Sequence, residues 1–246
     1  MLLTRRILSA RHLWYWMHSA RLLEALRRYR DATRGESWAS SVSEKFPVRG
    51  AVRDLHADTW IEARSRVEAG GPSGGAANVD LLHQLVSEYA DPRRTPEACG
   101  TVVETGVAAG WSSLAILLAL EGTEGRLWST DLPYPYVPNA ADSVGIAVPE
   151  WLRDCWLLRR GSDREVLPQL LDECGPVDVA HYDSDKSYSG AMWAYSILWD
   201  ALRSGGLLIA DDVGDHLAFR DFSARVDVRP TVIKDGAKFQ GLLMKP

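Results

Sequence analysis

Covalent and metal cross-links are scarce in this chain of 246 residues. Its cysteines, Cys99, Cys155 and Cys174, are an odd set with no CxxC pair and no Cys/His cluster. That pattern argues against a disulfide framework or a structural zinc site and leads us to expect a reducing cytoplasm. Long apolar runs are missing too, since none approaches the ~20 residues that span a bilayer. The N-terminus has paired arginines but no continuous apolar segment before a small-residue cleavage site, so no signal peptide is expected. Basic charge is also in deficit, with a net charge of -5. Phosphate neutralisation needs clustered Lys and Arg, and a nucleic-acid partner is therefore not expected.

What charge there is lies unevenly. Up to Arg34 the chain carries eight arginines against only Glu24 and Asp31, which leaves the remainder clearly acidic. In residues 2–30, Leu3, Ile7, Leu13, Trp14, Met17, Leu22, Leu26 and Tyr29 recur at helical spacing, with arginine distributed around them. Two readings stay open for this helix. It packs on the domain or on a second copy as a homodimer contact, or residues 1–34 touch an anionic membrane surface. From Gly35 to Gly75 the pattern is irregular and ends in Gly70-Gly71-Pro72-Ser73-Gly74-Gly75, a flexible linker or a mobile cover over a site. Asn78 or Asp80 is placed to cap a helix through Val79–Tyr89 that Asp91-Pro92 ends.

Regular alternation follows. Strands are expected at Thr101–Glu104, Arg126–Thr130, Trp156–Arg159, Val177–Tyr182, Leu207–Ala210, Val226–Ile233 and Phe239–Met244. Helices are expected at Ser113–Leu120, Pro149–Cys155, Arg164–Cys174 and Tyr188–Arg203. Repeated βα units imply an α/β fold, a Rossmann-like, seven-stranded, mostly parallel sheet with helices on both faces. Residues 1–77 would form an N-terminal helical or irregular extension, and 78–246 the domain. Ligands of such sheets bind beyond the carboxyl ends of the strands, so the residues just after each strand carry the interest.

The first strand end reads Glu104-Thr105-Gly106-Val107-Ala108-Ala109-Gly110-Trp111-Ser112-Ser113. Gly106 and Gly110 permit a sharp turn and close approach to a ligand, and the following helix offers free N–H groups to a carboxylate. The Gly-x-x-x-Gly spacing differs from that of dinucleotide sites. Glycine serves tight βα turns for purely structural reasons as well. Asp131, closing the next strand, could accept hydrogen bonds from both hydroxyls of a ribose or merely terminate its strand.

Val103-Glu104-x-Gly106-x-x-x-Gly110-x-Ser112 resembles the first motif of class I S-adenosylmethionine-dependent O-methyltransferases, particularly the catechol and caffeoyl-CoA types. The resemblance runs from about residue 78 to the C-terminus. It implies that Glu104, Gly106, Gly110 and Ser112 lie near the methionine end of the cofactor and Asp131 at the ribose. Arg160-Gly161-Ser162-Asp163 resembles the segment set against the adenine, with Ser162 and Asp163 as its candidates.

Two more strand ends concentrate carboxylates, in His181-Tyr182-Asp183-Ser184-Asp185-Lys186 and Ile209-Ala210-Asp211-Asp212-Val213. If these strands are neighbours, Asp183, Asp211 and Asp212 converge. Three ionised carboxylates repel unless a cation joins them, and Mg²⁺ with its oxygen ligands suits that need. Loop-capping carboxylates that bind only water are the alternative. The metal-dependent O-methyltransferases are similar here, although Asp212 stands where they usually carry Asn. The resemblance also implies that Asp183 touches the cofactor and that Lys186 takes the proton from the acceptor hydroxyl. His216, in the loop after the acidic pair, is an alternative base, while His181 lies within its strand as a packed histidine. The expected activity is methyl transfer to a hydroxyl of a small molecule, with metal. Metal-free transfer using His216, or a non-catalytic cofactor-binding or membrane-associated scaffold, are the alternatives.

Overall fold

The structure, a computed structural model, describes residues 10–70, 78–133, 140–236 and 238–246, with side chains for all of these except 10–22 and 140. The Gly71–Gly75 part of the glycine-rich run and residues 134–139 therefore lie outside the described residues. So do Leu3 and Ile7, and the side chains of Leu13, Trp14, Met17 and Leu22. In chain order the elements are α1 (Ala10–Val42), β1 (Ser43–Glu44), α2 (Val52–Leu55), α3 (Ala57–Gly70) and α4 (Val79–Tyr89). Then come β2 (Thr101–Thr105), α5 (Trp111–Ala119), β3 (Arg126–Asp131), α6 (Ala140–Ser143) and a 3₁₀ turn, Glu150–Cys155. The rest is β4 (Trp156–Arg160), α7 (Asp163–Cys174), β5 (Val177–Tyr182), α8 (Tyr188–Ala201), β6 (Leu202–Ala210), α9 (Ala218–Arg225), β7 (Thr231–Asp235) and β8 (Lys238–Met244).

The strands form one sheet in the order β1-β7-β8-β6-β5-β2-β3-β4. Pairing is parallel except where β8 meets β6 and β7. The seven expected strands are all present, and the two-residue β1 adds an eighth beside β7. Two-sided burial explains the near-continuous apolar strands. Val102, Val179, Leu207 and Ile209 face a core built with α3, α4 and α5, while Val103, Ala180, Leu208 and Ala210 face one built with α7, α8 and α9. Three local expectations change. Leu202 and Arg203 join β6 rather than the preceding helix, and β6 begins at Leu202 instead of Leu207, with a register irregularity in its pairing with β5 between Val177 and Val179. The expected strand from Val226 begins only at Thr231, after a turn that ends α9. Asn78 holds the N-cap position of α4 but makes no side-chain capping bond: it takes a left-handed conformation and its amide turns to Asp211, while Asp80 accepts from the Val52 N–H.

The extension divides in two. Along α1, Leu23, Leu26 and Tyr29 are exposed, so this stretch does not pack on its own domain. Contact begins near Gly35, where an added Cβ would lie 2.3 Å from the Gly214 carbonyl oxygen. A helix-interior glycine is accepted there because backbone meets backbone. By contrast Val52, Trp60, Ala63 and Val67 of α2 and α3 belong to the same core as α4 and α5. No described helix is long and apolar enough to cross a membrane.

The amino ends of the strands are tied by one buried carboxylate. Asp178 accepts from the backbone N–H groups of Cys99 and Thr101 and from the Arg203 guanidinium at 2.5 Å. Arg203 also reaches the carbonyl oxygen of Tyr89, so β2, β5, β6 and α4 meet at one charge pair. Removing one partner strands the other in the interior, a loss of about 3–5 kcal/mol. Asp178→Ala should therefore lower unfolding stability by that amount in urea titration.

Candidate active site

Strand order reverses between β2 and β5, since β3 and β4 continue on one side and β6 on the other. At this switch point the backbone ladder runs one residue past the strands. Gly106 N–H donates to the Thr130 carbonyl, Asp183 N–H to Thr105 and Asp211 N–H to Tyr182, each at 2.8–2.9 Å. Residues Gly106, Asp131, Asp183 and Asp211 are thereby drawn to one edge.

The glycine loop is held from three sides. Asp131 Oδ2 accepts the N–H groups of Val107 and Ala108 at 2.8 and 2.9 Å. These bonds fall on one oxygen and leave Oδ1 for other partners. The carbonyls of Ala108 and Ala109 accept from the N–H groups of Gly145 and Ala147. Behind them, the Arg66 guanidinium of α3 donates to the carbonyls of Ile146 and Ala147, and the Trp60 and Trp111 rings stack 5.1 Å apart. Gly106 and Gly110 both have φ above +80°. A Cβ on Gly106 would meet the Asp183 carbonyl at 2.3 Å, and one on Gly110 would meet Gly145 Cα at 2.8 Å. Both glycines are thus required by chain-to-chain packing, whatever binds in front of them. Gly110 precedes α5 without a side-chain cap, so the first N–H groups of α5 stay open beside partly exposed Ser112.

Glu104 is wholly buried behind this loop. Its Oε2 accepts from Ser113 and Ser129, at 2.6 and 2.9 Å. Its Oε1 has no hydrogen-bond partner and faces the equally unpartnered Nδ1 of His181 at 3.7 Å. Burial lowers the His181 pKa, and the Glu104 carboxylate overrides it to give a net rise. His181 is, as expected, a packed strand histidine. Ser162 caps α7 in a reciprocal box with Glu165. Asp163 accepts from Thr130 Oγ1 at 2.8 Å and from Ser184 Oγ, and burial pushes its carboxyl above the usual range.

Asp183, Asp211 and Asp212 do converge, each offering an oxygen within 4.8 Å of the others. Two lysines lie among them. Lys186 pairs with Asp183 and, at 2.9 Å, with Asp212. Lys238 pairs with Asp212 at 3.0 Å and Asp211 at 3.3 Å. Asn78 donates to Asp211 from the other side at 3.3 Å. Asp212 has φ +53°, a left-handed conformation that Asp tolerates better than most residues. Burial raises Asp183, with Asp211 adding and Lys186 opposing. Burial would raise Asp212 as well, but the two lysines bring it below its ordinary value. Burial would lower Lys186, yet Asp183 and Asp212 outweigh it, so the ammonium is held protonated. Lys238 and Asn78 were not found from the sequence, because no motif surrounds Lys238 and Asn78 reads as a helix cap.

His216 is buried and its Nδ1 accepts the Ala218 N–H at 3.3 Å. With that lone pair engaged, the neutral ring presents Nε2–H, a donor. Burial lowers its pKa below the ordinary 6.5, Asp215 opposing. A histidine so depressed binds fewer protons folded than unfolded, so the stability it contributes is full above about pH 6.5 and falls as acid drives the unfolded form to protonate. His216→Asn should flatten part of the loss in unfolding midpoint seen between pH 7 and 5, measured by thermal melts in matched buffers.

The same fold recurs among known proteins. The fold is shared with an O-methyltransferase from Bacillus cereus in complex with SAH (TM-score 0.58, 18% identity, 79% of this chain and 95% of that one). It is shared also with the O-methyltransferase TomG from Streptomyces achromogenes, involved in tomaymycin synthesis, in complex with SAM (TM-score 0.55, 18% identity, 89% and 99%). SAH-bound methyltransferase PaMTH1 from Podospora anserina is similar in the same way (TM-score 0.54, 16% identity, 87% and 95%). The chain thus shares the α/β fold of these methyltransferases, a mostly parallel sheet with helices. Residues 103–213 match the family described as a methyltransferase domain, a span from the strand before the glycine loop to the residue after the acidic pair. No curated protein matches the chain by sequence.

Proposed function

We propose that the protein transfers a methyl group from S-adenosylmethionine to a hydroxyl of a small molecule. One observation carries this reading: the Asp131-held glycine loop and the Asp183–Asp211–Asp212 cluster share the edge at the topological switch point. In this reading the open N–H groups of α5, with Ser112, take the methionine carboxylate, and Asp131 Oδ1 takes the ribose. Glu104 acts from behind, through Ser113 and the loop it steadies. Asp163 and the backbone of Ser162 border the adenine. Transfer itself needs the acceptor oxygen aligned with the sulfonium methyl and solvent excluded.

The donor set of the acidic cluster fits a hard divalent cation, because three carboxylate oxygens lie close enough to share one ion. Asp183, Asp211 and Asp212 would hold Mg²⁺, which when bound lowers the pKa of a hydroxyl in contact with it. Lys186 stands beside the same oxygens and is the proposed base. It becomes able to take a proton only when its pairing with Asp183 and Asp212 loosens. A second reading, transfer without metal, is favoured by the lysines themselves, which already neutralise most of the cluster. His216 fits that reading less well as a base, since accepting a proton at Nδ1 breaks its bond with Ala218.

S-adenosylhomocysteine should bind in calorimetry, and Asp131→Ala should weaken it by about tenfold or more, as the loop loses two hydrogen bonds and a ribose partner. Absence of binding, or an unchanged affinity in the variant, would sink the cofactor assignment. With phenol, polyketide and sugar acceptors and labelled donor, Lys186→Met should cut turnover by roughly 10²-fold or more. Full turnover in excess chelator selects the metal-free reading.

A further inference from the structure

Lys238 lies outside every motif that marks the site, yet it is built into the acidic cluster. β8 runs antiparallel to β6, with Ala210 opposite Gly241. The start of β8 therefore projects past the end of β6 and alongside Asp211 and Asp212. The Val213 N–H donates to the Phe239 carbonyl at 3.0 Å and fixes that register one residue from Lys238. On the same hairpin Lys234 turns away, its ammonium 5.1 Å from the Phe239 ring centre. Among the described residues, only Asp212 is gripped through both oxygens by different lysines, Oδ1 by Lys238 at 3.0 Å and Oδ2 by Lys186 at 2.9 Å.

We propose that Lys238 is the built-in counter-cation of Asp212, and that it sets how tightly the Asp183–Asp211–Asp212 cluster takes a divalent cation. This rests on the reading above that the cluster is a cation-binding part of the acceptor site. With Lys186 and Lys238 in place, the cluster presents one net negative charge to an incoming ion. Without Lys238 it presents two, and a bound cation no longer competes with the ammonium for Asp211 Oδ2 and Asp212 Oδ1. Lys238 is half-exposed, so its tether can swing into solvent when another cation arrives. It is a positioning residue: it acts on Asp212 and through it on whatever the cluster holds.

The test is calorimetric titration of Mn²⁺ into metal-free wild type, Lys238→Met, Lys238→Gln, Asp212→Asn and the Asp212→Asn/Lys238→Met double variant. Asn keeps the left-handed backbone at 212 acceptable, and Gln serves if Met perturbs folding. Loss of the lysine should tighten Mn²⁺ on the order of tenfold, a figure discounted for partial solvent exposure. Asp212→Asn alone should weaken it, and the double variant should return close to wild type. Equal Mn²⁺ affinity in wild type, Lys238→Met and Lys238→Gln overturns the proposal and leaves the metal reading standing. Failure of every protein to bind millimolar Mn²⁺ overturns both. A merely structural lysine would lower stability on removal without tightening the ion.

Discussion

Mutual repulsion among Asp183, Asp211 and Asp212 is the constraint around which the functional edge is arranged. Their oxygens crowd together because adjacent parallel strands deliver their following residues to one edge, and the backbone ladder continues through Asp183 and Asp211. Carboxylates so close stay ionised only among cations. Two lysines and the Asn78 amide meet that demand from three separate elements: the loop after β5, the start of β8 and the start of α4. Burial lifts Asp183 above its ordinary pKa despite Lys186, whereas burial of Asp212 is outweighed by two lysines that bring it below its own.

The glycine loop obeys a different constraint, that of backbone polar groups needing partners at a buried turn. Asp131 satisfies two of its N–H groups, and residues 145–147 satisfy two of its carbonyls. Since Arg66 and Trp60 support that clamp, part of the N-terminal extension braces the glycine loop. The α1 helix meets the domain elsewhere, at Gly35 over the loop between the acidic pair and His216. Both sides of the edge are thus touched by segments that precede the βα repeats.

Much of this was legible in one dimension. The βα alternation was readable because strands buried on both faces are apolar almost throughout, and β5 falls at Val177–Tyr182 as the pattern indicates. The glycines and Asp131 were readable because local backbone geometry demands particular residue types next to a strand end. Boundaries without such a signal were less so. Nothing local says that Leu202 and Arg203 leave α8 to begin β6, and α9 went unseen among mixed residues.

Sequence alone determined the layered α/β architecture, the loop and the three acidic strand ends, because each depends on residue type at short range. Tertiary structure alone decided which groups answer them. Lys238 reaches the cluster only because β8 runs antiparallel, and Asn78 turns from its helix to Asp211 only because α4 starts beside that edge. Glu104 and Gly106 change meaning for the same reason. One is closed in by Ser113, Ser129 and His181, the other by the Asp183 carbonyl, and all of these except Ser113 belong to other strands or their ends. Charge pairing and steric closure act across space, and spacing along the chain does not encode the partner.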